Sequence, residues 1–141
     1  MSAFEKILVP LDGSECSFHA LEKAIQIAKK FDSKISLINV YSISIFRLTP
    51  SQVFESMKEL RKSGEEVLEE GKKKAKSQDL QINTILKEGH AVEKIVETAK
   101  EDNFDLIVMG ARGLSSFKQI LLGSVSHGTT VLASCPVLIV K

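Results

Sequence analysis

Lys6-Ile7-Leu8-Val9-Pro10-Leu11-Asp12-Gly13-Ser14 is the stretch from which the rest of the chain can be read. Lys6 opens a continuous apolar run and Asp12-Gly13-Ser14 is a turn signal, the pattern of a strand running into a turn. Continuous rather than alternating hydrophobicity predicts a strand covered on both faces. Immediately after it, Glu15 to Phe31 carries Cys16, Ala20, Ala24, Ile27, Ala28 and Phe31 at near-helical spacing, with Ser14 or Asp12 placed to cap the start. Lys34 to Tyr41 (KISLINVY) is β-branched and apolar, bounded by Asp32-Ser33, and reads as a second strand.

The same alternation continues. Ser42 to Ser51 mixes Ile43, Ile45, Phe46 and Leu48 with polar residues before Pro50 and reads as a loop folded over something. Ser51 to about Ser77 predicts a long charged helix with Met57, Leu60, Val67, Leu68 and Ala75 on one face, shared by Gly64 and Gly71, which allow close approach to a sheet. Its Lys72-Lys73-Lys74 run reads as a solvated C-terminal turn favoured by the helix dipole, not as a nucleic-acid contact. Leu80 to Lys87 alternates as a half-exposed strand does, nearer a sheet edge. After Gly89, Ala91 to Glu101 presents Ala91, Ile95, Val96 and Ala99 as a helical face, and Asp105 to Met109 is a buried strand. Ser124 to about Ala133 is a helix and Pro136 to Val140 a fifth strand. The order βαβαβαβαβ predicts a doubly wound α/β fold, an open parallel sheet with helices on both faces.

Composition narrows the function without naming it. The 141 residues are 43% apolar and form one expected domain, 1–141, large enough for a conventional core. Nineteen Lys+Arg against 18 Asp+Glu leave a net charge of +1, which argues against bulk attraction to nucleic acid or anionic membrane. No apolar run approaches the roughly 20 residues of a spanning helix, and no signal-peptide pattern opens the chain, so a soluble cytoplasmic protein is expected. Cys16 and Cys135 lack CxxC spacing and a nearby His, and read as small hydrophobes in packing positions.

In an open α/β sheet, ligands bind beyond the carboxyl ends of the strands where strand order reverses. That directs attention to Pro10 to Ser14, Val40 to Ser42 and Met109 to Ser126. The last contains Gly110-Ala111-Arg112-Gly113, nine intervening residues, then Gly123-Ser124 at a helix start. Glycines let backbone N–H groups approach phosphate oxygens, the helix N-terminus adds donors and a favourable dipole, and Arg112 adds charge. Taken singly, the same residues read as a turn and an ordinary N-cap.

Taken together, GxxG, nine residues and G[ST] after the fourth strand resembles the ATP-binding signature of the universal stress protein family. The likeness extends to Ile7-Leu8-Val9-Pro10-Leu11-Asp12-Gly13-Ser14, Asp105 to Gly110 and Cys135-Pro136-Val137-Leu138-Ile139-Val140. The resemblance implies strand order 3-2-1-4-5, ATP or a related ADP or AMP at the strand ends, and a regulatory or stress-response role as nucleotide sensor or switch. It implies Asp12 near adenine and ribose, Pro10 and Leu11 lining the base pocket, Val40 recognising the base through its backbone, and Met109 beside it. Gly110 then approaches ribose or phosphates, Arg112 and Gly113 follow the phosphates, and Gly123, Ser124, Val125 and Ser126 bind them through backbone and hydroxyl groups. Asp12 is also the expected water-mediated Mg²⁺ contact.

His127-Gly128 departs from the family pattern. A glycine there weakens the helix by up to about 1 kcal/mol relative to Ala, and His127 reads as facing a phosphate or, more commonly, as a surface residue, like His19 and His90.

Other doubly wound folds fit less well. A P-loop requires a lysine that these glycines lack, a dinucleotide fold requires GxGxxG after the first strand, and a receiver domain requires an acidic cluster where Asp12 stands alone. The open alternatives are a weak ATPase or phosphotransfer enzyme, and an interaction module binding AMP or no nucleotide. Pro136 to Val140 is too apolar for a bare sheet edge, which predicts a homodimer through this strand, as the family resemblance also implies. No membrane or nucleic-acid partner is expected.

Overall fold

The fold is described from a computed structural model covering residues 3–43, 48–113 and 122–141. Five strands, β1 (Lys6–Pro10), β2 (Lys34–Tyr41), β3 (Ile82–Glu88), β4 (Leu106–Gly110) and β5 (Val137–Val140), alternate with four helices. These are α1 (Glu15–Phe31), α2 (Pro50–Lys76), α3 (Ala91–Glu101) and α4 (Ser124–Leu132). The sheet order is β3-β2-β1-β4-β5, with every pairing parallel. The chain winds from β1 outward to β3, then crosses back to β4 beside β1. The switch point therefore lies between β1 and β4, where Ile7 faces Leu106 and Leu8 faces Ile107.

Ile7, Leu8 and Val9 are fully buried because β1 is central and sandwiched. Ile7, Val9 and Leu37 point to one core with α1 and α2, whereas Leu8, Ile38, Ile107 and Met109 point to another with α3. The alternation of a strand thus feeds two cores, and the continuous apolar run follows from having both. β3, half exposed, is an edge as its alternating sequence predicts.

The helix faces differ in detail from the spacing estimate. On α1 the buried residues are Ser17, Phe18, Ala20, Leu21, Ala24, Ile25 and Ala28. The inward face is rotated away from Cys16 and Phe31, and Phe31 instead meets Phe4 edge-on, 5.2 Å between ring centroids. On α2 the buried residues are Gly64, Leu68, Gly71 and Ala75, so residues 50–63 contribute none. A Cβ on Gly71 would lie 2.5 Å from Leu11 Cδ1, and one on Gly64 2.5 Å from Asn39 Oδ1, the close approach the glycines permit. Thr49 and Gln52 close a capping box at the free end of α2. The turn after β1 requires Gly13, whose φ is +91°.

Gly128 has a packing reason. A Cβ there would lie 2.9 Å from Val92 Cγ2, so the glycine lets α4 seat against α3. Residues 44–47, part of the loop expected to fold over something, lie outside the described residues, as do 114–121 of the phosphate-type loop.

Candidate functional site

At the carboxyl end of the sheet, the β1–α1 and β4–α4 connections converge on one hollow. Ser14 caps α1, its Oγ accepting the Ser17 N–H at 3.2 Å, and Asp12 Oδ1 accepts the Ser14 N–H at 2.9 Å. This Asx turn holds the Asp12 carboxylate at the end of β1. On the β4 side, Ala111 N–H donates to the Val140 carbonyl at 2.8 Å and Gly123 N–H to the Ala111 carbonyl at 2.6 Å. Ser126 Oγ donates to the Gly110 carbonyl, also at 2.6 Å, and is buried. The start of α4 is thereby fastened to the end of β4.

The hollow encloses about 120 Å³. Its walls include the twelve residues that the family resemblance assigns to the nucleotide, Pro10, Leu11, Asp12, Val40, Met109, Gly110, Arg112, Gly113, Gly123, Ser124, Val125 and Ser126, but not His127. Their roles are not equal. Leu11 directs its side chain to α2, where Cδ1 meets Gly71, so its backbone is what faces the hollow. Ser126 has its hydroxyl hydrogen engaged by Gly110, leaving its N–H as the donor toward a ligand. His127, His19 and His90 are exposed on the surface.

One end of the hollow is aliphatic. Ile38 and Val40 of β2, Ala91 and Ile95 of α3, and Met109 of β4 form it. Backbone groups of alternate strand residues face the same neighbour. Ile38 C=O accepts the Leu11 N–H at 2.8 Å, whereas Tyr41 C=O accepts the Gly89 N–H at 2.9 Å on the β3 side. Val40 shares the parity of Ile38, so it turns one donor and one acceptor toward the space beyond the end of β1.

The other end is built for negative charge. α4 begins at Gly123 with no capping side chain, so the N–H groups of Ser124, Val125 and Ser126 keep the orphan character of a first turn, at the positive end of the helix dipole. Arg112 and Gly113 stand beside them. α1 and α2, by contrast, have their first turns closed by Ser14 and Thr49.

Four wall residues escaped the sequence reading as site residues: Ser17, Ile38, Ala91 and Ile95. Ile38 stands two before Val40 and so shares its strand face, and Ala91 and Ile95 are an i,i+4 pair. The periodicity was visible, but that α3 borders this hollow follows only from the sheet order. Asn39 was missed too. It is buried in β2 and its Nδ2 donates to the Leu11 carbonyl at 2.8 Å, fixing the end of β1. Its signal was an amide inside a largely apolar strand.

Cys135 packs against the α3-side core and Cys16 Sγ lies 3.6 Å from the Val140 carbonyl, the packing positions expected of both. Burial pushes the Cys135 thiol above its ordinary range, and the Asp105 carboxylate pushes the same way. Among the described residues no His, Cys, Asp or Glu group has metal-binding geometry, and no helix is long and apolar enough to cross a membrane.

The sequence and the fold have known counterparts. The chain is 37% identical over 147 residues to the universal stress protein YxiE of Bacillus subtilis, covering 98% of this chain and 99% of that one. It is 41% identical over 140 residues to the universal stress protein MJ0531 of Methanocaldococcus jannaschii, covering 98% and 82%. A solved universal stress protein in complex with cAMP superposes with a TM-score of 0.76 at 29% identity, covering 99% of each chain. The pattern of the universal stress protein family matches residues 3–141, from before β1 to beyond β5. The order 3-2-1-4-5, the glycines flanking the hollow and this match agree: the chain belongs to the universal stress protein family.

Proposed function

We propose that the chain binds an adenine nucleotide, ATP first among ATP, ADP and AMP, and acts as a nucleotide-dependent sensor or switch in stress response. The observation that carries this reading is one hollow with an aliphatic end and an anion-favouring end at the β1/β4 switch point. Adenine fits between Val40, Ile38, Ile95 and Met109, its exocyclic amine donating to the Val40 C=O and a ring nitrogen accepting from the Val40 N–H. The ribose falls beside Asp12. Phosphates fall at Gly110, Arg112 and Gly113 and at the first-turn amides of α4 through Gly123, Ser124, Val125 and Ser126. The enclosed 120 Å³ is below the roughly 300–1,000 Å³ of ordinary ligand pockets. A nucleotide therefore has its base end enclosed and its phosphates along the more open start of α4. That a solved relative carries cAMP supports an adenine ligand.

Asp12 is the sole carboxylate among the hollow's described wall residues. A Mg²⁺ ion would arrive with the phosphates and meet Asp12 through water, the two forming a fit that needs no preformed metal cage. Hydrolysis needs a residue that orients the attacking water as well as charge stabilisation. Among the described walls only Asp12 and Arg112 are charged, which supports slow turnover at most.

A homodimer through β5 accompanies this reading. Leu138 on the edge strand and Val131 and Leu132 on neighbouring α4 are 37%, 66% and 63% exposed, an apolar border that a second copy would cover. The function is tested by calorimetric titration of nucleotide-free protein with ATP, ADP, AMP and cAMP, with and without Mg²⁺. Saturable heat is expected with ATP, and none with any nucleotide sinks the proposal.

A further inference from the structure

We infer that Asn39 is a positioning residue for base recognition: by occupying the Leu11 carbonyl it keeps the Val40 N–H out of the sheet and open to the nucleotide. This rests on the nucleotide reading above. In a parallel pair the rungs are evenly spaced, so each is followed by the next unless something interrupts the ladder. β1 and β2 run in register through Pro10 and Ile38, and just past the end of β1 the Leu11 N–H still donates to the Ile38 carbonyl at 2.8 Å. The two chains are therefore still side by side there. The next rung in the series runs from the Val40 N–H to the Leu11 carbonyl. Among the described residues that bond is not made, and the carbonyl accepts from Asn39 Nδ2 instead, at 2.8 Å.

The amide is held in this posture from its other side. Asn39 is buried and stands two residues after Leu37, on the strand face that meets α2. A Cβ on Gly64 would lie 2.5 Å from Asn39 Oδ1 and 3.2 Å from its Cγ, so α2 walls in the oxygen end while the nitrogen end reaches Leu11. Leu11 is steadied by the same helix, its Cδ1 lying against Gly71, two turns along from Gly64. Both partners of the bond thus rest on α2. Side chains alternate along a strand, so Val40 turns the opposite way, into the hollow beside Ile38, Ile95 and Met109. Its N–H sits at the carboxyl end of the sheet with its natural acceptor already engaged. An apolar residue of the same shape at position 39 would release the Leu11 carbonyl to Val40, lengthening the ladder by one rung and removing the donor from the base.

Amide hydrogen exchange of the unaltered, nucleotide-free chain is the first test. Val40 should exchange about a hundredfold faster than Ile38, which lies inside the ladder, and should slow when ATP is added. Equal protection of the two amides overturns the inference with no variant needed. Asn39→Leu should then protect the Val40 amide in the nucleotide-free chain and lower ATP affinity about tenfold, the scale of one hydrogen bond. The readout specific to the base uses 1-deaza-ATP and 7-deaza-ATP, which each lack one of the two ring nitrogens on either side of the exocyclic amine. The unaltered chain should bind one of them about tenfold more weakly than ATP, and Asn39→Leu should bind that compound as well as it binds ATP. A merely structural disturbance would weaken all three ligands alike and keep the preference. A preference retained in Asn39→Leu, or an unaltered chain that binds all three alike, overturns the inference while saturable ATP binding leaves the nucleotide reading intact. Absence of ATP binding by the unaltered chain overturns both. Should Asn39→Leu fail to fold, Asn39→Ala, which removes the same donor and adds no bulk toward Gly64, is read by the same three ligands, and the exchange of Val40 in the unaltered chain decides the inference if neither variant folds.

Discussion

Gly110→Ala is predicted to be among the costly single-methyl changes in the chain. A Cβ at Gly110 would lie 2.8 Å from the Cys16 carbonyl carbon, 2.9 Å from its oxygen and 3.0 Å from its Cβ. Two of these atoms are helix backbone, so no rotamer change relieves the contact. Carbon atoms settle at about 3.5 to 4.0 Å, so α1 must withdraw from β4 by roughly 0.7 Å along its first turn. That turn also carries the Ser14 cap and the Cys16 contact to Val140. Overpacking costs about 1–3 kcal/mol, and a rigid backbone obstacle places this case near 3 kcal/mol. With an unfolding entropy of about 2.1 cal/mol/K per residue, the 141 residues give roughly 0.3 kcal/mol/K and a melting temperature lower by about 10 °C. A urea midpoint lower by about 1.5 M should accompany it, for a slope near 2 kcal/mol/M. Circular dichroism melts and urea titrations measure both. The internal control is Gly113→Ala, whose methyl meets, among the described residues, the end of the exposed Asp12 side chain and should shift melting by no more than about 2 °C. A Gly110→Ala loss under about 3 °C, or equal losses at the two glycines, would refute this account of the Gly-Ala-Arg-Gly stretch.

Ser126→Ala strands the Gly110 carbonyl and should cost about 1–3 kcal/mol in urea unfolding; an unchanged midpoint would mean that the 2.6 Å bond does not hold α4 to β4. The raised Cys135 pKa makes its contribution to stability complete below the ordinary thiol range. As pH climbs above that range the unfolded chain gives up the proton first, so stability should fall with pH, and Cys135→Ala should flatten that alkaline decline in melts taken from pH 8 to 11. A decline unaltered by the substitution counts against it. Leu138→Lys should convert the proposed dimer to a monomer in light scattering at micromolar concentration, and an unchanged mass would remove β5 from the interface.

Much of this architecture was legible because its signals are local. The Lys6–Ser14 stretch, KISLINVY and DLIVM each announce a strand by composition, and glycine or aspartate marks where each stops. What periodicity could not settle was phase. α1 presents Phe18, Leu21 and Ile25 inward where Cys16 and Phe31 were expected, since two offset apolar stripes fit the same spacing and only contact with β1 and β4 selects one. Strand order came from family resemblance and could not come from alternation, which is indifferent to whether β4 returns beside β1. For the same reason the hollow's glycines and Asp12 were readable from motif, whereas Ile38, Ala91 and Ile95 were not. Gly128 is the instructive case: its cost to helix propensity was evident, and its compensation, room for Val92, belongs to a helix that lies more than thirty residues earlier.

The length of α2 has a consequence for motion. Its 27 residues make a rod of about 40 Å, yet residues 50–63 bury no side chain while Gly64 to Ala75 lie against the sheet. Amide hydrogens along this one helix should then exchange on two scales. Those of the outer half open by local fraying, held back chiefly by the Thr49–Gln52 cap, and those beyond Gly64 exchange only with the cooperative unit that includes β1 and β2. A single element would thus report both a local opening and the global one, with the boundary near the first glycine.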